Sequence, residues 1–85
     1  MNVVSDDRHF GVYPAIVAGG DDPLGLGRVR VIVPIVDAID ALWATVVVPN
    51  TGHAAVPPAT GTDVVVAFEA GDQDRPYVLG SFHRR

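Results

Sequence analysis

The sequence contains no cysteine, which excludes both a disulfide framework and thiolate metal sites. It also contains no lysine, and six arginines stand against ten acidic residues, for a formal net charge of −4. Because nucleic-acid-binding domains usually present a basic surface, this balance argues against nucleic acid as a partner. No apolar run approaches the roughly 20 residues of a membrane span. Residues 1–8 lack the hydrophobic stretch of a signal peptide.

The composition favours one small all-β domain. Eighty-five residues suffice for one domain with a thin core, and a hydrophobic content of 48% excludes a disordered chain. Valine dominates the apolar residues, and β-branched side chains favour strands. Nine glycines and seven prolines divide the apolar runs into pieces of strand length.

Five runs have the length and pattern of β-strands. In the second run Val29, Val31 and Val33 alternate with other residues, as Val64 and Val66 do in the fourth. The predicted strands span residues 10–18, 28–34, 42–48, 63–69 and 77–82. The connections are too short for helical crossovers, so a mostly antiparallel sheet is expected. Only residues 35–42 have the spacing of a helical turn.

Five short strands in a chain of this length indicate a small, closed or partly closed antiparallel barrel. An OB-fold is the most common solution of this size, and an SH3-like barrel is the alternative. We expect a flexible N-terminal segment at 1–9, the barrel domain at 10–82 and a short C-terminal tail at 83–85.

The predicted outer faces of three strands are unusually apolar. Val65 and Ala67 point outward on the fourth strand, and Tyr77 and Leu79 flank Val78 on the fifth. On the third strand, one face carries Trp43. A contiguous apolar patch on a small domain usually marks an interface, although scattered exposed valines need no explanation.

The polar residues do not form a recognisable catalytic or metal-binding pattern. His9, His53 and His83 are far apart, and we interpret them as solvent-exposed. Asp72 and Asp74 lack the remaining ligands of a calcium loop and fit a turn, with Arg75 or a neighbouring chain available to pair with Asp74. We therefore predict that the chain is not an enzyme and binds no cofactor or metal.

One binding hypothesis follows from the predicted barrel. OB-folds bind single-stranded nucleic acid or carbohydrate through aromatic side chains beside basic ones. Arg28, Arg30 and Trp43 are the residues that would supply this surface. A monomeric binding module of this kind is the alternative to a structural role.

Three blocks of sequence resemble one known family. They are YPAIV at 13–17 with DPLGLGRVRV at 22–31, WA at 43–44 with VP at 48–49, and PATGTDVVVAFEAGDQDRPYVLGS at 58–81. Together they resemble the OB-fold domain of the phage baseplate assembly protein V and VgrG spike family, from about residue 11 to residue 81. The third block is the most specific, because glycine, acidic, arginine and proline residues recur there at fixed offsets.

The resemblance implies a non-enzymatic part of the trimeric central spike of contractile tails, type VI secretion systems or extracellular injection particles. Its implied partners are two further copies of itself, a baseplate hub protein, and a PAAR-like spike-tip protein or cargo. Assembly is expected in the bacterial cytoplasm, followed by incorporation into a virion or injection particle. The residues expected at the subunit interface, with the two arginines pairing with acids of a neighbour, are Trp43, Val65, Ala67, Tyr77, Leu79, Arg28 and Arg30.

The chain differs from this family in two respects. Family members commonly carry a hub-like domain before the barrel and a β-helical needle after it. Here about ten residues precede the barrel, and the sequence stops at Arg85. We therefore expect the OB module alone or a minimal spike, which could lie between a separate hub and a separate tip, act as an adaptor for cargo or plug the tube.

Overall fold

The structure, a computed structural model, describes residues 8–50 and 56–83, and these stretches form an all-β fold. A single 3₁₀ turn, η1 (Glu69–Gly71), follows the fourth strand. The strands of the described residues are β1 (Tyr13–Gly19), β2 (Val29–Val33), β3 (Asp37–Val46), β4 (Asp63–Phe68) and β5 (Pro76–Ser81). Pro76 is the first residue of β5, a position at which a strand tolerates a residue that has no N–H to donate.

The five strands close into a barrel in the order β1-β2-β3-β5-β4. This confirms the predicted small barrel with a mostly antiparallel sheet, and one pair departs from that pattern, because β3 and β5 are parallel. They pair at Thr45 with Tyr77 and at Val46 with Val78. β4 pairs with β1, so β5 lies between β4 and β3 and closes the barrel. It is antiparallel to β4 and parallel to β3.

The core lies inside the barrel and consists mainly of valine. The alternation predicted for β2 and β4 is confirmed, since Val31, Val64 and Val66 are fully buried. β-branched side chains suit this narrow interior because they fill it with few rotamers to restrict. The buried core residues are Ala15, Val17, Val29, Val31, Val33, Ala44, Val64, Val66, Phe68 and Val78.

The helical spacing at residues 35–42 does not produce a helical turn, because most of this stretch lies in β3. β3 begins at Asp37 with an irregular pairing, because Val33 lies opposite Asp37 and Val31 lies opposite Leu42. Oδ1 of Asp37 accepts hydrogen bonds from the backbone N–H groups of Ile39 at 2.9 Å and of Asp40 at 3.2 Å. Because these N–H groups donate to the Asp37 side chain, they do not donate to backbone carbonyls as they would in a helix. The side chain of Ile39 is 84% exposed.

The residues before β1 are attached to η1. Arg8 forms an isolated antiparallel bridge with Asp72, and the N–H of His9 donates to the carbonyl of Gly71 at 2.8 Å. The predicted flexible segment at 1–9 otherwise falls on residues 1–7, which lie outside the described residues, as do 84–85 of the predicted tail. Within the described stretches, no helix has the length and apolarity needed to cross a bilayer.

Candidate subunit interface

The outward-facing residues of β4 and β5 form a partly apolar surface. Val65 and Ala67 are half-buried, as is Tyr77, which lies opposite Ala67 in the register. Val65 pairs with Gly80 and Val66 with Val78, so Leu79 is the extra residue of a β-bulge. The bulge leaves Leu79 47% exposed. We call Val65, Ala67, Tyr77 and Leu79 the outer face.

Trp43 extends this surface across the parallel pair. Tyr77 lies opposite Thr45 on β3, two residues from Trp43. The guanidinium carbon of Arg28 lies 5.0 Å from the Trp43 ring centroid, and that of Arg30 lies 5.9 Å away. Both distances permit cation–π attraction. We call Arg28, Arg30 and Trp43 the arginine–tryptophan cluster.

Asp22 organises the loop that leads into this cluster. Its carboxylate, only 2% exposed, accepts hydrogen bonds from Nε of Arg28 at 2.7 Å and from Nη2 at 2.8 Å. It also accepts from the backbone N–H groups of Leu24, Leu26 and Arg28. The side-chain bond from Arg28 is the main reason that the pKa of Asp22 lies well below its usual value of 3.8.

This ion pair changes the interpretation of Arg28. Within the chain, Arg28 is paired with Asp22, so its guanidinium is not merely solvated in the absence of a neighbour. The Asp22–Arg28 ion pair was not predicted from the sequence. An aspartate that begins such a loop and an arginine that ends it six residues later were the available signal.

A shallow groove separates the arginine–tryptophan cluster from the turn before β5. Tyr77 donates its hydroxyl to Oε1 of Glu69 at 2.7 Å, and this carboxylate raises the pKa of Tyr77. The groove has a volume of about 250 Å³. Its lining includes Arg28, Trp43, Thr45, Glu69, Asp74 and Tyr77. The groove therefore combines two aromatic rings with charges of both signs, which suits contact with another protein surface.

The predicted turn at 71–76 is confirmed in its geometry but not in its ion pair. Oδ1 of Asp72 accepts the backbone N–H of Asp74 at 2.9 Å, as an aspartate turn requires. Arg75 lies 3.4 Å from a carboxylate oxygen of Glu69 and 3.6 Å from one of Asp72. Within the described chain, Arg75 therefore pairs with Glu69 and Asp72 and not with Asp74.

The histidines occupy separate surroundings where they are described. His9 contacts the rings of Tyr13 and Phe68, with centroids 6.0 and 5.8 Å away, and its Nε2 lies 3.2 Å from Oε1 of Gln73. His83 is exposed, and His53 lies outside the described residues. In the part of the chain that is described, no three acidic or histidine side chains are grouped as metal ligands would be.

The structure thus brings most of the predicted interface residues onto one continuous side of the barrel. Tyr77 is central, since it lies opposite both Ala67 and Thr45 and borders the groove with Trp43. Val65 and Leu79 lie further along β4 and β5. The buried backbone of Gly19 lies under the side chain of Arg30, a contact that was not predicted from the sequence.

Comparison with known proteins identifies the family. The family described as the Type VI secretion system/phage-baseplate injector OB domain matches residues 13–83. The comparison with curated proteins gave no match. The matched region runs from the first residue of β1 to beyond the end of β5, so it includes the whole barrel. The chain therefore belongs to the Type VI secretion system/phage-baseplate injector OB domain family.

Proposed function

We propose that this chain is a non-enzymatic structural module of the central spike of a contractile injection system, where it links the hub to the spike tip or to cargo. The family, a structural baseplate and spike domain, supports the role in the baseplate. The position between hub and tip is our proposal. The chain would assemble in the bacterial cytoplasm and become part of a phage tail or injection particle.

The observation that carries the proposal is the family match over the whole barrel, together with the outer face that the barrel presents. A closed barrel limits exposed sheet edges, and five strands hydrogen-bonded in a ring resist deformation along the axis. The outer face offers side chains rather than open backbone for association. Such a module can bear load as one of several copies around a symmetry axis.

The proposed assembly is a homotrimer that uses the outer face and Trp43. Half-buried Val65, Ala67 and Tyr77 gain further burial in a trimer, and Trp43 supplies an aromatic anchor. The proposed partners at the ends of the trimer are the hub protein and a PAAR-like tip protein or cargo. Neither partner needs catalytic chemistry from this chain.

The experiment that tests the proposed assembly is a solution mass by light scattering after size-exclusion chromatography. A trimer would have three times the 8.9 kDa chain mass. A chain that remains monomeric at high concentration, both alone and with its hub, would contradict the proposal.

A second function is favoured by one observation. The cation–π contacts of the arginine–tryptophan cluster resemble a surface on which an OB-fold stacks bases or sugars. Asp22 offsets the charge of Arg28, and the whole chain is acidic, so the electrostatic contribution to such binding is small. Fluorescence anisotropy with a single-stranded oligonucleotide distinguishes the two functions, because the binding module predicts salt-dependent binding by a monomer.

A further inference from the structure

Arg30 differs from its arginine neighbours in its ionic partners. Arg28 pairs with Asp22, and Arg75 pairs with Glu69 and Asp72. Among residues 8–50 and 56–83, no carboxylate lies within ion-pair distance of Arg30. Arg30 is exposed on β2, so its guanidinium is accessible on a chain whose net charge is −4.

The guanidinium of Arg30 nevertheless has close neighbours within the chain. The register puts Gly19 of β1 opposite Arg30 and Arg30 opposite Trp43 of β3. A Cβ atom at Gly19 would lie 2.6 Å from Nη2 of Arg30 and 3.3 Å from its Nε, so the side chain lies directly on the glycine backbone. The Trp43 ring lies close by, with its centroid 5.9 Å from the guanidinium carbon.

This arrangement prepares Arg30 for a ligand. A long arginine side chain normally loses rotamer freedom when it binds, and that loss weakens the interaction. Contact with Gly19 and Trp43 restricts the side chain before any partner arrives. A guanidinium presents its N–H groups as a planar fork, which matches a carboxylate with two parallel hydrogen bonds.

We infer that Arg30 binds a carboxylate of a second copy of this chain, an inference that rests on the proposed trimeric function. Charge complementarity supports a second copy, because the chain has ten acidic residues and six arginines. Three exposed aspartates, Asp21, Asp40 and Asp74, carry carboxylates that a neighbour can present.

A matched pair of glycine substitutions tests the inference. Gly19→Ala places a methyl group where the guanidinium lies and displaces it without removing its charge. Gly20→Ala adds the same methyl one residue later, where no atom lies within 4 Å. Arg30→Gln removes the charge from an exposed position. Thermal melts would establish that each variant folds, and if Gly19→Ala does not fold, Arg30→Gln decides the test.

Sedimentation equilibrium would measure the self-association of each variant. We expect Gly19→Ala and Arg30→Gln each to weaken association by about tenfold or more, and Gly20→Ala to match the wild type. If the wild type associates and both Gly19→Ala and Arg30→Gln associate equally well, the inference is overturned while the trimer stands. If the wild type stays monomeric and binds a single-stranded oligonucleotide through Arg30, both the inference and the proposed assembly are overturned.

Discussion

The carboxylate of Asp22 and the guanidinium of Arg28 face each other in a two-point ion pair, with Oδ2 2.7 Å from Nε and Oδ1 2.8 Å from Nη2. The same carboxylate accepts three backbone N–H groups of its own loop. One side chain therefore fixes the loop between β1 and β2 and places Arg28 against Trp43. The shape of the arginine–tryptophan cluster depends on this loop.

Replacing Asp22 should destabilise the fold more than a typical surface change. Asp22→Asn removes the charge and leaves an amide that cannot accept all five hydrogen bonds, so the loop loses its organising group. We expect the melting temperature to fall by roughly 5–10 °C. Asp21→Asn, at the exposed neighbouring position, serves as the control and should melt like the wild type. Equal melting temperatures for both variants would disprove the role of Asp22.

The stability of the fold should also depend on pH in a defined direction. The pKa of Asp22 in the folded chain lies well below the usual 3.8, so its stabilising effect is complete above about pH 4 and is lost progressively as the pH falls. Urea unfolding between pH 7 and pH 2 should show a steeper acid loss for the wild type than for Asp22→Asn. The pKa of Asp37 is also lowered by backbone hydrogen bonds, so Asp22→Asn should still lose some stability as the pH falls. If the free energies of unfolding of the wild type and Asp22→Asn fell in parallel below pH 4, the role of Asp22 would be contradicted.

Much of the barrel was predictable because its signals are local. The alternation of Val29, Val31 and Val33 identified β2 and its inward face, and Gly71 with Pro76 marked the turn before β5. The parallel pairing of β3 with β5 was not predictable, since it depends on how the chain crosses between β3 and β4. The partner of Arg28 was missed for a similar reason, because that hydrogen bond forms only once the loop closes.

A core valine should matter far more than an exposed one. Val31 is fully buried, so Val31→Ala leaves a cavity in a thin core, and we expect a loss of about 2 kcal/mol in the free energy of unfolding. Val48, which is 55% exposed beyond the end of β3, provides the control. Val48→Ala should change the free energy by less than about 0.5 kcal/mol. Chemical denaturation measures both, and similar losses would contradict the described core.

Tyr77 should titrate above its ordinary range because its hydroxyl donates to the Glu69 carboxylate. The hydrogen bond and the negative charge both favour the protonated phenol, which raises the pKa of Tyr77 above 10.0. In a Tyr13→Phe background, ultraviolet absorbance follows Tyr77 by itself. Glu69→Gln should shift the titration to lower pH, whereas Asp74→Asn should have a smaller effect. If the Tyr77 titration were the same in both variants as in the Tyr13→Phe background, the Tyr77 hydroxyl would not donate to Glu69.

A charge introduced on the outer face should weaken the proposed trimer. Val65 is half-buried on β4, and Val65→Asp would place a carboxylate in an apolar contact, where it lacks a compensating partner. We expect association at least tenfold weaker, measured by light scattering over a range of concentrations. Val12→Asp, at an exposed position before β1, serves as the control. An unchanged mass for Val65→Asp would remove Val65 from the interface.

The central claim is that this barrel connects the hub to the tip as a trimer. Native mass spectrometry of the chain, co-expressed with the hub and tip proteins of its own injection system, tests the claim most directly. We predict a complex that contains three copies of this chain and both partners, and a complex that loses the tip when this chain is omitted. A hub and tip that associate without the chain, while the chain remains a free monomer, would contradict the account.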